Sequence, residues 1–219
     1  RQLIEGGMNV ARINFSHGTH EEHQKKLDIL FRLREEMKVP VAALLDTKGP
    51  EIRLGTFANG RETLEAGDKF TLTTEAMEGT KEKASITFAG LPGDVKAGDA
   101  ILIDDGLIEM RVDSTEGCEI HCTVLNGGEV SNRKGINVPN VSLSMPYISE
   151  RDQADILFGI KAGFDFIAAS FVRNAQDVQQ LRDLLKENGG ENIKIISKIE
   201  NAEGVNNIEE IIRVSDGIM

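Results

Sequence analysis

Apolar runs of strand length, each followed by a helical pattern, occupy the two ends of this chain and give way to something different in its middle. "MNVARINF" reads as a strand, and "GTHEEHQKKLDILFRLREEM" after it as a helix, with Thr19 as N-cap and Glu22 completing a capping box. "VPVAALLDT" is a second apolar run, continuous rather than alternating, as in a strand covered on both faces. The same alternation returns late in the chain. Ser149 and Asp152 open a helix over "ERDQADILFGIKAG", which Gly163 ends; "FDFIAASFV" is a strand, "AQDVQQLRDLLKENGG" a helix, "IKIISKI" a strand and "IEEIIRV" a helix. Units recurring at roughly 25 to 35 residues imply parallel strands with helices outside.

Residues 50–146 follow another rule. Short segments such as "KFTLTT", "ASITF", "AILID", "LIEMRV" and "EIHCTVL" are punctuated by glycine pairs and Asp-Gly turns, which predicts a small all-β unit, a barrel or a sandwich. "DDG" at 104–106 signals a hairpin, so turn chemistry accounts for Asp104 and Asp105 better than catalysis does. The predicted organisation is an α/β domain in two segments, 1–49 and 147–219, interrupted by an all-β domain at 50–146, with Pro50 and Pro146 as hinge markers.

Composition narrows the partners. A formal net charge of −11 argues against nucleic acid, which needs a basic face. No apolar run approaches the roughly 18 residues of a membrane span, and no signal-peptide pattern opens the chain. Cys118 and Cys122 lie in "CEIHC", read as a strand, roughly 13 Å apart and too far for a disulfide. With Ile120 they share one face, which predicts buried thiols and fits a reducing cytoplasm. If an acidic chain takes an anionic substrate, its site must gather cations locally.

The polar residues that could do so stand at the carboxyl ends of the apolar strands, where ligands bind in parallel α/β domains. "MNVARINFSHG" ends with Arg12, Asn14, Ser16 and His17; "VAALLDTKGPEIR" with Asp46, Thr47, Lys48 and, past a turn, Glu51 and Arg53; "FIAASFVR" with Ser170 and Arg173; "IKIISKIE" with Lys198 and Glu200. On a strand, Lys198 and Glu200 share a face, as do Arg12 and Asn14. An isolated Lys–Glu pair is ordinarily a structural ion pair. At a strand's mouth, the glutamate could instead hold a divalent cation while the ammonium neutralises an anion, the combination phosphoryl transfer needs. His20 and His23 are read as surface residues in the first exposed turns of their helix, whereas His17, in the loop after the strand, could touch a ligand.

"MNVARINFSHG", "LLDTKGPEIR", "RKGINVPN" and "IKIISKIENAEGV", in this order, resemble the pyruvate kinase family, and the resemblance runs along essentially the whole chain. It implies a partial (β/α)8 TIM barrel carrying an inserted, mobile β cap whose closure excludes water. The reaction implied is glycolytic phosphoryl transfer from phosphoenolpyruvate to ADP, giving pyruvate and ATP, with Mg2+ (or Mn2+) and K+ as cofactors. By the same resemblance Lys198 is the catalytic lysine facing the phosphoryl group, Glu200 a magnesium ligand, and Arg12 a phosphate contact. Ser170 and Phe171 line the substrate site. Asn14, Ser16, Asp46 and Thr47 match the potassium site, and Glu51 is the residue type of potassium-dependent members. Asn14, His17, Arg53 and Lys134 fall on the nucleotide side. A cytoplasmic homotetramer is implied for the parent protein.

Both ends read as cut: the chain opens on "RQLIEGG", which resembles a last helical turn, and stops at "SDGIM" as a strand begins. The family's "GDLG" stretch, with a second magnesium carboxylate, would follow. The expectation is that this chain alone turns over poorly. Two other readings are another magnesium-dependent barrel enzyme acting on phosphoenolpyruvate or pyruvate, such as a carbon–carbon lyase, and a non-catalytic module retaining weak nucleotide binding.

Overall fold

A computed structural model describes all of residues 1–219. The chain divides into two compact units, one formed by Arg1–Pro50 with Pro146–Met219, the other by Glu51–Met145. The first unit begins with α1 (Gln2–Glu5), β1 (Val10–Asn14), α2 (His20–Met37) and β2 (Ala42–Asp46). The second holds β3 (Ile52–Arg53), β4 (Arg61–Leu64), β5 (Lys69–Thr73), β6 (Lys83–Ser85), α3 (Leu91–Asp94), β7 (Ala100–Ile103), β8 (Ile108–Glu116), β9 (Glu119–Val124), β10 (Gly128–Ser131) and β11 (Gly135–Asn137). The first unit then resumes with α4 (Glu150–Ala162), β12 (Phe166–Ala169), α5 (Ala175–Glu187), β13 (Lys194–Ser197), α6 (Ala202–Asn206), α7 (Ile208–Val214) and β14 (Gly217–Ile218).

In the first unit the strands lie in the order β1-β2-β12-β13-β14, all parallel. Asn14 is level with Asp46, Asp46 with Ala168, and Ala169 with Ser197, so four strands finish near one line of the sheet. Local chemistry fixes the helices that return the chain. Thr19 and Ser149 both close capping boxes, with Glu22 and Asp152 as partners, and Asn174 caps α5 through the amide of Asp177. Gly163 ends α4 in the left-handed conformation at φ 81°, as the sequence predicts. Leu27, Leu30, Leu45, Ile156, Ile167, Leu181 and Ile195 close a core between sheet and helices.

The second unit contains a seven-stranded sheet in the order β3-β11-β7-β8-β9-β5-β6 and a separate β4–β10 ribbon. Its two edge strands meet: Leu54 bridges Ile86, Gly55 N–H donates to Ser85 O at 2.8 Å, and Thr87 N–H donates to Arg53 O at 3.0 Å. Of the two all-β forms the sequence allows, the sheet therefore takes the barrel, which removes its free edges. Asp105 and Gly106 turn the β7–β8 hairpin with φ of 56° and 89°, inside the bond from Leu107 N–H to Asp104 O, the geometry of a primed turn.

Three expectations need correction. His23 is not a surface residue: it is 1% exposed, its ring 4.2 Å from that of Phe15, and neither ring nitrogen has a hydrogen-bond partner. Desolvation is the main cause holding its pKa below the usual histidine value. His20 is half-buried rather than exposed, 2.5 Å from Asp155 on α4 and stacked on Phe158. Phe15, just after β1, covers the His23 ring and Phe158 of α4 the His20 ring, which helical position alone does not reveal. Cys122 is buried and its thiol pushed up to about 12 by desolvation, but Cys118 precedes β9 and is only half-buried. No helix is long and apolar enough to cross a membrane.

Candidate active site

The level ends of β1, β2, β12 and β13 bring together side chains from distant parts of the sequence. Asp46, last residue of β2 and 2% exposed, sits between two cations. Arg12 Nε donates to its Oδ2 at 2.7 Å, and Lys198 Nζ to its Oδ1 at 3.0 Å. Lys198 is 9% exposed, and its ammonium also reaches Ser170 Oγ at 2.8 Å and Glu200 Oε1 at 3.2 Å. Ser170 Oγ donates in turn to Thr47 O at 2.6 Å. A buried ammonium is tolerable only when desolvation is offset by charges and hydrogen bonds on several sides, and Lys198 has all three of its protons so placed.

β13 ends at Ser197, so Lys198 and Glu200 lie just beyond the strand rather than within it. They still meet, because backbone bonds hold the segment: Lys198 N–H donates to Ala169 O at 2.9 Å and Ile199 N–H to Met219 O at 3.0 Å. Glu200 has a second tie. Its Oε2 accepts from the backbone amide of Phe171 at 3.0 Å, and Phe171 holds the left-handed φ of 55°. A side chain rarely tolerates that conformation, and such strain concentrates at functional turns.

The loop after β2 approaches Ser170 closely. Gly49 has φ 72°, and a Cβ there would stand 2.8 Å from Ser170 Cβ, so glycine is required twice over. Its N–H donates to Asp152 Oδ1 at 3.0 Å, giving the α4 capping residue a second role. Thr47 is buried, its hydroxyl accepting from Ser170 N–H at 3.0 Å. Asn14 Oδ1 accepts from Ser16 N–H at 2.8 Å, and His17 lies exposed in the turn that follows.

Arg173 takes a different place from the other strand-end residues. Its guanidinium grips Asp177 on α5, 2.9 Å from each oxygen, and bonding to that carboxylate raises its pKa. Arg53 and Lys134 belong to the β unit, on neighbouring segments where Leu54 N–H donates to Lys134 O at 2.9 Å. Glu51 pairs with Arg53 at 2.7 Å and is the main cause raising its pKa, while Lys134 Nζ is 2.8 Å from Asp104. Tyr147, which sequence reasoning missed, is buried and donates its hydroxyl to Ser170 O at 3.2 Å.

Nowhere do three or more His, Cys, Asp or Glu side chains gather as a metal cage. The strand-end donors are of another kind. Asn14, Ser16, Asp46 and Thr47 each carry a side-chain oxygen donor, the chemistry of a hard cation, and come from two adjacent strand ends in register. Glu200 supplies one carboxylate, consistent with a magnesium ion held by one or two carboxylates together with substrate oxygens. The donor types suit both groups, while each carboxylate is already engaged, Asp46 by Arg12 and Lys198, and Glu200 by Lys198 and the Phe171 amide.

The model of the pyruvate kinase barrel domain matches residues 1–219. A pyruvate kinase of Clostridium perfringens is 48% identical over 220 residues, covering 100% of this chain and 46% of that protein. One from Geobacillus stearothermophilus is 51% identical over 220 residues, covering 100% of this chain and 38% of that protein. The crystal structure of a pyruvate kinase from Cryptosporidium parvum aligns with a TM-score of 0.90 at 43% identity, covering 99% of this chain and 46% of that one. The chain thus spans less than half the length of the curated relatives it matches. Its parallel unit is part of a (β/α)8 barrel, and the chain belongs to the pyruvate kinase family.

Proposed function

We propose that the protein carrying this chain transfers a phosphoryl group from phosphoenolpyruvate to ADP, giving pyruvate and ATP, as a cytoplasmic glycolytic enzyme. The observation that carries this reading is the Lys198 ammonium, held at 2.8–3.2 Å by Ser170, Asp46 and Glu200 where the parallel strands end. Phosphoryl transfer asks little covalent chemistry of a protein and much positioned charge. Lys198 is the group that faces the charge developing on the phosphoryl oxygens. Arg12 holds a phosphate oxygen, and its half-exposed guanidinium is anchored through Asp46. Ser170 and Phe171 shape the substrate's side of the site. His17 and Asn14, with Arg53 and Lys134 of the β unit, contact the nucleotide.

Glu200 would hold magnesium, and Asn14, Ser16, Asp46 and Thr47 potassium; when bound, these cations supply charge neutralisation for the phosphates. The ADP oxygen attacks phosphorus in line, the bond to the enol oxygen breaks, and the enolate takes a proton to become pyruvate. No protein nucleophile is required. The whole enzyme is proposed to be a homotetramer.

The full-length protein incubated with phosphoenolpyruvate, ADP, magnesium and potassium should form pyruvate and ATP in equal amounts. Consumption of phosphoenolpyruvate without ATP, or a carbon–carbon cleavage product, would replace this reading with a lyase of related architecture.

A further inference from the structure

The peptide joining Ser170 to Phe171 is gripped at both ends. Its carbonyl oxygen accepts the Tyr147 hydroxyl at 3.2 Å, and its N–H donates to Glu200 Oε2 at 3.0 Å. Carbonyl and amide of one peptide point in opposite directions in a shared plane, so fixing one fixes the other. We propose that Tyr147 is a positioning residue for Glu200, acting through this peptide to set the angle at which the carboxylate is presented to a divalent cation. The proposal rests on the reading that Glu200 is a metal ligand.

Three features support it. First, the tie is a continuous chain of donors and acceptors: Tyr147 hydroxyl, Ser170 carbonyl, Phe171 amide, Glu200 carboxylate and Lys198 ammonium. Its inner members, Tyr147, Ser170 and Lys198, are buried, while the bond from Phe171 to Glu200 lies at the exposed end where a cation would arrive. Second, the peptide needs holding, because Phe171 sits at φ 55° and would relax if the plane were free to rotate. The other bonds to this loop hold its neighbours and not this peptide's own carbonyl or amide: Ser170 N–H donates to Thr47 Oγ1 at 3.0 Å, Val172 N–H to Lys198 O at 3.3 Å, Asn201 Nδ2 to Val172 O at 3.2 Å and Asn207 Nδ2 to Arg173 O at 3.0 Å. Third, Tyr147 is itself buried and packed. It is 6% exposed, the Arg173 guanidinium lies 5.9 Å from its ring centroid, and burial pushes its phenol well above the usual value, so it remains a donor. Residues that orient a metal ligand commonly matter to metal affinity nearly as much as the ligand does.

The test uses the full-length enzyme and direct Mn2+ binding by electron paramagnetic resonance, without turnover. Glu200→Gln should weaken binding more than tenfold. Tyr147→Phe, which removes only the hydroxyl, should weaken it about threefold to tenfold while the protein still melts cooperatively. In the double variant Tyr147→Phe should add nothing, because the group it orients is gone. Wild-type affinity in Tyr147→Phe, or an equal loss with and without Glu200, would overturn the positioning role. Loss of cooperative melting in Tyr147→Phe would overturn it too, since the hydroxyl would then be structural. Unchanged binding in Glu200→Gln would instead overturn the functional reading on which it rests.

Discussion

The two units treat charge in opposite ways. In the β unit, Thr73 is the only buried polar residue, and the core is apolar throughout, from Phe70 and Leu72 to Ile101, Met110 and Val130. Most of its ion pairs, Arg61–Glu129 and Lys69–Asp113 among them, lie at the surface, with Glu51–Arg53 the more buried one. The parallel unit buries Asp46, Thr47, Ser170 and Lys198 at its strand ends, in contact with one another, and Ser197 beside them with its hydroxyl on Ser215. Surface pairs are worth about 0–1 kcal/mol, and a buried pair often contributes no more than an apolar pair of the same shape. Stability alone would have left those strand ends apolar, as in the β unit. On the function proposed here, the difference is where the molecule gives up easy packing for chemistry.

That contrast can be broken at several points. Met110→Ala removes a fully buried side chain from the β unit and should cost about 2–5 kcal/mol in denaturant unfolding. A cost below about 1 kcal/mol would mean the apolar core is not what holds that unit. Gly49→Ala forces a left-handed alanine against Ser170, with about 1–2 kcal/mol of backbone strain and weaker phosphoenolpyruvate binding in the full-length enzyme. Titration of that variant with substrate would show whether the close approach matters to the site.

A third test concerns His23, whose folded pKa lies below the usual histidine value of 6.5. The unfolded chain takes up the proton first, so this group's contribution is fully present above about pH 6.5 and is lost as pH falls through the lowered folded value. Unfolding at pH 5 and pH 7.5 should show a larger loss in the wild type than in His23→Leu. Equal losses would mean that the ring is hydrated in solution. Smallest of all, Arg61→Ala at an exposed pair should shift stability by less than about 1 kcal/mol.

Much of this was legible beforehand, for physical reasons. Continuous apolar runs announce parallel strands, and capping residues such as Thr19 and Ser149 act locally, so their signals survive in one dimension. Charges ending those runs pointed to Asp46 and Lys198 for the same reason: an apolar strand gives such residues no local purpose. What stayed hidden depends on partners far away in sequence. Tyr147 has no recognisable pattern because its meaning is Ser170 O. His23 is covered by Phe15 from the end of β1, and Arg173 turns to Asp177 although its position matched the other strand-end residues; the four-residue spacing to Asp177 was the available clue. Barrel closure in the β unit rests on one meeting of edges at Leu54 and Ile86, which alternating apolar residues cannot distinguish from a sandwich.

The central claim is that the buried Lys198 network is kept for catalysis. Its most direct test is Lys198→Ala in the full-length enzyme, with turnover and substrate affinity measured separately. Removing one preorganised charge from a phosphoryl-transfer site should lower turnover by about a hundredfold or more and change KM only modestly. Nearly normal turnover would contradict the account and make Lys198, Asp46 and Glu200 a structural ion cluster.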